Sequence, residues 1–368
     1  MFLWDSANSL VRSLSPRAYA LTAAILFGAS TPLAKRLLGT VDPIVLAGLL
    51  YLGAGLGAAT ILAARHAFTR TAIAHRSPWL GRRGALALAG AVVSGGIAAP
   101  IVMMYGLRET PAATASLLLN FEVVATALIA AAVFGEAIGR RVWIAVGLIT
   151  AAACLLGWRP NEPWGLSMGV FGIIVACALW GLDNNLTRIV SAMNPMAIVC
   201  VKGVGAGVCS LALAATLGAK LPMIRVSAVA IGLGTVSFGL STALFIRAMR
   251  DLGAARTGAL FGTAPFFGAV LSWIVFPEVP SGVVLASLPL MAAGAVLLLT
   301  ESHRHPHDHA EVIHDHSHAH DDGHHDHGHE PGEVPASGLH SHSHRHEAKT
   351  HDHQHTPDLQ HRHDHPHG

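Results

Sequence analysis

Long apolar runs constrain this chain more than any other feature. Ten of them approach or exceed the ~20 residues an α-helix needs to cross a bilayer. They cover roughly Ala18–Leu38, Pro43–Ala64, Ala85–Gly106, Pro111–Phe134, Val142–Trp158, Gly165–Leu186, Pro195–Leu217, Val226–Met249, Ala254–Phe276 and Gly282–Thr300. Inside lipid no water is at hand for the backbone, so each run must satisfy its own N–H and C=O groups as a helix. Charged residues are 12% of the chain, about half the share usual in soluble domains. The expected fold class is therefore an all-α integral membrane protein. The runs are rich in Gly and Ala, which lets helices approach closely in lipid. Gly/Pro interruptions at Gly28…Pro32, Gly95-Gly96…Pro100 and Gly262…Pro265 predict broken helices, which are tolerated where they line a cavity.

Basic residues predict the orientation. Most fall on one set of loops, among them Arg12, Arg17, Arg82, Arg83, Arg140, Arg141 and Arg188. The opposite set holds Lys35, Arg36, Arg108, Arg159, Lys220 and Arg225. This bias puts both termini in the cytoplasm, as in a bacterial inner membrane protein. Met1 to Arg17 lacks a basic segment leading to an apolar run and cleavage site, so no cleaved signal peptide is expected. A formal net charge of +2 gives no reason to expect a nucleic-acid partner.

The runs repeat. Phe27-Gly28 matches Trp180-Gly181, Leu33 matches Leu186, Asp42-Pro43 matches Asn194-Pro195, and Gly53-Ala54-Gly55 matches Gly205-Ala206-Gly207. Further on, Arg108 matches Arg250, Ala112-Ala113 matches Ala254-Ala255, and Phe134-Gly135-Glu136 matches Phe276-Pro277-Glu278. Each half carries five spans, an odd number, so the halves insert in opposite directions. Inverted repeats of this kind build transporters whose site lies near the midplane, between the halves. The expected organisation is a five-helix repeat over 18–158, a second over 165–300, and a tail over 301–368. With both halves in one chain, a monomer suffices for a complete path.

Charges within spans are costly and mark candidate functional positions. Glu122 falls midway along the fourth run. It reads either as a proton or cation site or as a neutral carboxyl satisfied by Asn120 or a backbone group. Asp183, Asn184 and Asn185 follow Trp180-Gly181 and align with Ser30-Thr31-Pro32. They could line a cavity between the halves or form a polar cluster at a helix end. Lys202, inside the seventh run, could snorkel, pair with Asp183 or Glu122, or hold an anionic substrate. Trp180 reads as a packing or cavity-lining aromatic, Met103-Met104 as packing or lipid-facing residues or else ligands for a soft metal, and Glu136 and Glu278 as helix-junction residues. Cys154, Cys177, Cys200 and Cys209 form no C-x-x-C and read as small buried hydrophobes.

The chain resembles the drug/metabolite transporter superfamily, in particular its ten-helix members built from two EamA-type repeats. The resemblance rests on Phe27-Gly28, Leu179-Trp180-Gly181, Leu119-Asn120-Phe121-Glu122-Val123-Val124, Phe134-Gly135-Glu136, Ala264-Pro265 and Phe276-Pro277-Glu278. It covers about residues 18–300. It implies an exporter or exchanger of small organic solutes, usually driven by protons or another gradient. There are departures: Val123 stands where members often have Pro, Leu50 where they often have Arg, and the histidine tail is not a family feature.

All 25 histidines except His66 and His75 lie at position 303 or beyond. The tail interleaves them with Asp, Glu, Pro and Gly, and too few apolar residues remain for a core, so it is expected to be disordered. His303, His305, His307, His309, His314, His316, His318, His320, His324, His325, His327 and His329 are candidate metal ligands. Imidazole suits zinc, nickel, cobalt and copper. No cofactor is required by this reading. The expected function is secondary active export of a small organic metabolite, drug or chelator, linked to divalent metal through the tail. The alternatives are direct efflux of nickel, cobalt or zinc ions, and a membrane-anchored metal buffer or sensor. The expected partners are thus a small-molecule or metal substrate and the bilayer. An enzyme is not expected: H-E-x-x-H is absent and no span carries a Ser/His or Asp/Asp catalytic set.

Overall fold

The computed structural model describes residues 15–68, 81–135, 139–158, 167–191, 193–252, 254–277 and 279–299, and in the tail 303–309, 312–319, 339–346 and 349–355. Glu136, Glu278 and His320, His324, His325, His327 and His329 lie outside the described residues.

The body is all-helical, and its helices follow the apolar runs. The first span is α1 (Pro16–Gly28) and α2 (Ser30–Leu37); the second is α3 (Pro43–Phe68). The third is α4 (Arg82–Ala91), a π-helical stretch (Val92–Ala98) and α5 (Ala99–Glu109). The fourth is α6 (Ala112–Leu118) and α7 (Phe121–Phe134), and the fifth is α8 (Arg140–Gly157). The second half runs through α9 (Met168–Ile189), α10 (Pro195–Thr216), and α11 (Ile224–Gly234) with a π stretch (Thr235–Leu240) and α12 (Ser241–Leu252). It ends with α13 (Ala254–Phe261), α14 (Ala264–Val275) and α15 (Gly282–Leu299). Among the described residues, seven stretches are long and apolar enough to cross a membrane, the divided fourth span among them. The first and ninth spans are each divided into two shorter helices, and the tenth is short.

The two halves repeat each other's irregularities. The third span of each contains a π stretch, and the fourth of each is broken. Their starts match as well. Asp42 Oδ1 accepts from Ile44 N at 2.9 Å ahead of α3, and Asn194 Oδ1 accepts from Met196 N at 2.9 Å ahead of α10. In each case a proline follows the capping residue, at the first helical position, where its missing N–H costs nothing. The Asp42-Pro43/Asn194-Pro195 match is thus a repeated helix start.

These two spans, α3 and α10, pack along each other through small residues. A Cβ added at Gly55 would run into the Val204 backbone, one at Gly203 into Gly55, and one at Gly207 into Leu52. Helices in lipid gain from such close approach through dispersion and packing rather than through a hydrophobic effect. Around this seam α9 packs on α5 and α7, and α15 on α8. Large apolar residues such as Leu86, Val133 and Ile274 face outward, Ile274 with 75% of its surface exposed, as lipid contact requires. Cys177 is buried, but Cys154 and Cys209 are exposed. The expectation of four buried cysteines therefore fails for those two, which face outward like their apolar neighbours.

The tail forms its own unit, Ser302–Asp364. Its described residues are extended: β1 (His303–His309) pairs antiparallel with β4 (Lys349–His355), and β2 (Val312–Ala319) with β3 (Leu339–His346). The His-x-His alternation has a period of two, which is the period of a strand.

Candidate functional site

A cavity of about 380 Å³ lies within the bundle, walled by residues from both halves. The first half contributes Phe27, Ser30, Thr31, Ala34, Tyr51, Met103, Met104, Leu107 and Glu122; the second contributes Trp180, Asn184, Thr187, Ile198, Lys202, Phe238 and Thr242. The wall is largely apolar and aromatic. Phe27 and Phe238 meet edge to face, centroids 5.6 Å apart. Met103 and Met104 are buried in the core, as expected of packing residues, and also line the cavity.

Glu122 sits in the first turn of α7, just past the break at Leu119-Asn120. Its Oε1 accepts from Asn184 Nδ2 at 2.9 Å, and the same amide reaches Thr126 Oγ1 at 3.2 Å. Glu122 and Asn184 thus join the fourth span to the sixth at the cavity wall. Asn120 plays no part in satisfying the carboxyl. It is buried, donating to Leu117 O at 2.9 Å beside the Met291 sulfur, and it is not among the lining residues.

Asp183 and Lys202 form a separate unit. The Lys202 ammonium donates to Asp183 Oδ1 at 2.6 Å, to Oδ2 at 2.7 Å, and to Thr187 Oγ1 at 3.3 Å. Thr187 Oγ1 in turn donates to Asp183 Oδ1 at 2.9 Å. Pairing with Asp183 is one of the three roles the sequence leaves open for Lys202, which also lines the cavity. The ammonium's hydrogen-bonding capacity is spent on the pair, and its charge is neutralised one residue from Asn184. Asn185 points the other way. It is buried and donates to Thr126 O at 3.0 Å and Gly181 O at 2.8 Å, tying α9 to α7.

The site also includes a feature the sequence reading did not name. Tyr51 Oη donates to Gly95 O at 2.7 Å, and Trp180 Nε1 donates to the same carbonyl at 3.0 Å and to Tyr51 Oη at 3.1 Å. Gly95 lies in the π stretch of the third span. A π turn displaces carbonyls from the regular ladder, and such turns recur at functional sites. A Cβ on Gly95 would collide with the Asp183 carboxylate. One glycine thus brings the third span against the ion pair while its carbonyl holds two aromatic donors. The Gly95-Gly96 pair flagged an interruption, but nothing local to Tyr51 or Trp180 signalled this contact.

No group of three or more His, Cys, Asp or Glu side chains is placed to hold a metal among the described residues. Of the candidate tail ligands, His303, His305, His307 and His309 lie on β1, opposite His355, His353, His351 and Lys349. His314, His316 and His318 lie on β2, opposite His344, His342 and His340.

The profile of the EamA-like transporter family matches residues 16–158 and 167–300, one repeat after the other. The chain is 28% identical over 272 residues to an uncharacterised transporter of Methanothermobacter thermautotrophicus, covering 70% of this chain and 78% of that protein. A crystal structure described simply as that of a protein superposes with a TM-score of 0.52 at 16% identity, over 77% of this chain and 96% of the other. At that identity the likeness concerns the fold alone. The double family match, together with a cavity walled by both repeats, gives the conclusion: this chain belongs to the EamA-like transporter family of the drug/metabolite transporter superfamily, and is a membrane transporter.

Proposed function

We propose that the protein is a secondary active exporter of a small organic solute with a mainly apolar body and a cationic or hydrogen-bond-donating end. One observation carries this reading: Lys202 is neutralised by Asp183, so Glu122, held by Asn184, is the charged side chain left among the described lining residues to meet a solute, beside the hydroxyls of Ser30, Thr31 and Thr242. The aromatic residues Phe27, Tyr51, Trp180 and Phe238 would take the apolar body, and their faces also favour a cation. An anionic substrate would find no uncommitted cation among the described lining residues. We place both termini in the cytoplasm of a bacterial inner membrane, from the distribution of arginines, and assign the protein no enzymatic step.

The tail, in this reading, binds zinc, nickel, cobalt or copper and links transport to metal, either as a regulator or by delivering a metal complex. Direct efflux of the bare ion is the second reading. It is disfavoured because an ion path needs several ligands converging, whereas Glu122 and Asp183 have separate partners. A buffer or sensor that moves nothing would leave a cavity shared by two repeats without a use.

The test is metal content and solute efflux in cells expressing the full chain, the chain ending at Thr300, and Glu122→Gln. Solute efflux lost in Glu122→Gln, with metal content changed only by what the tail retains, supports organic-solute export. A fall in one metal that disappears in both variants favours export of the metal or its complex. Unchanged solute and metal efflux with the full chain would leave the buffer reading.

A further inference from the structure

The first and sixth spans are repeat counterparts, yet they are built differently. The sixth is one uninterrupted helix, Met168–Ile189, whereas the first divides at Ala29 into α1 and the eight-residue α2. Ser30, Thr31 and Ala34 of α2 line the cavity. Beside Ala34, the Lys35 ammonium donates to the carbonyl oxygens of Leu107 and Arg108, each at 2.7 Å. Those carbonyls belong to the last turn of α5, and Leu107 also lines the cavity. The tie therefore joins two cavity-lining helices where the first and third spans end. Both partners are short helices adjoining an irregular element: α2 adjoins the break at Ala29, and α5 adjoins the π stretch Val92–Ala98.

The chemistry suits a reversible closure. The final carbonyls of a helix lack intrahelical partners and carry the negative end of its dipole, so a cation there is favoured. An ammonium is also strongly hydrated. Exchanging two carbonyls for water is close to balanced, because folded hydrogen bonds replace solvent ones with only a modest net gain.

We propose that α2 is a gate at this end of the cavity, hinged at Ala29, and that Lys35 is its latch. While the ammonium holds the Leu107 and Arg108 carbonyls the end is shut. When α2 swings away, Lys35 turns to water and the cavity opens on the side bearing residues 39–42. The proposal rests on the transport reading for its purpose, but the closure does not depend on which solute is carried.

The test uses the full chain with Cys154, Cys177, Cys200 and Cys209 replaced by alanine and Met103→Cys introduced at the cavity wall. The protein is reconstituted in lipid vesicles. A membrane-impermeant maleimide is added to one side at a time. Labelling from the side bearing residues 39–42 should be slow, should rise on the order of tenfold with Lys35→Met as the open population grows, and should stay slow with Lys35→Arg, which keeps two donors. Each variant is checked for unchanged melting temperature, so that a misfolded protein is not scored. Labelling from that side that Lys35→Met leaves unchanged would overturn the gate. An equal rise from both sides would overturn it too, since that marks general loosening. The expected labelling pattern in vesicles that move no solute would keep the gate and remove the transport reading instead.

Discussion

Asp183 and Lys202 lie on successive spans, and both carboxylate oxygens of the one are within 2.7 Å of the ammonium of the other. Their side chains keep only 7% and 17% of their surface exposed. A pair this enclosed is held by mutual need. Removing one partner strands the other, at about 3–5 kcal/mol, whereas removing both costs much less. Asp183→Asn and Lys202→Met should each lower the melting temperature in detergent, and the double variant should lower it less than either single one does. Additive losses would show that the two charges act independently.

Gly95 faces that pair with no room for a side chain. Gly95→Ala should destabilise the protein by about 1–3 kcal/mol through overpacking and should reduce transport, because the displaced groups are the Asp183 carboxylate and the cavity wall. Gly147, inside α8, has nothing near its missing Cβ, so Gly147→Ala should be neutral or stabilise by up to about 1 kcal/mol. Equal effects at the two glycines in thermal unfolding would contradict the packing described here.

The carbonyl of Gly95 accepts from both Tyr51 and Trp180. Tyr51→Phe keeps the ring and leaves Trp180 as a donor, so a loss of about 1 kcal/mol is expected. Adding Trp180→Phe removes the second donor, and the buried carbonyl then costs a further ~1–3 kcal/mol. Hydrogen exchange across Val92–Ala98 would report this: protection should fall little in the single variant and markedly in the double.

Metal binding should follow the tail. The full chain should bind nickel or zinc in equilibrium dialysis, and the chain ending at Thr300 should lose that binding while keeping its helical circular dichroism. Binding should weaken as pH falls through the range near 6.5 where imidazole protonates, since a metal needs the neutral ring. Retention of tight metal binding without the tail would point to a site in the body.

Some of this was legible in the sequence because it is written in local pattern. Apolar length dictates helices in lipid, and the repeated Asp42-Pro43/Asn194-Pro195 starts are caps that any such helix would form. The interruptions around Gly28, Gly95-Gly96 and Gly262 fall at the break at Ala29, the π stretch Val92–Ala98 and the break before Ala264. The break at Leu119-Asn120 and the second π stretch, Thr235–Leu240, carry no Pro or Gly pair to announce them. They follow from packing against neighbouring spans, and no local propensity encodes that.

By itself, then, the sequence determined that the chain crosses a membrane as two five-helix repeats, because backbone groups in lipid leave a twenty-residue apolar segment no other form. It also named Glu122, Asp183, Asn184 and Lys202 as charges and amides that a bilayer would not tolerate without partners. Only the tertiary structure decided the partners: Asn184 rather than Asn120 for Glu122, Asp183 for Lys202, and the Leu107 and Arg108 carbonyls for Lys35. Those choices depend on which helix faces lie against each other across tens of residues of chain. That is settled by close packing of small residues along seams such as α3 against α10, and it leaves no mark in the spacing of any one span.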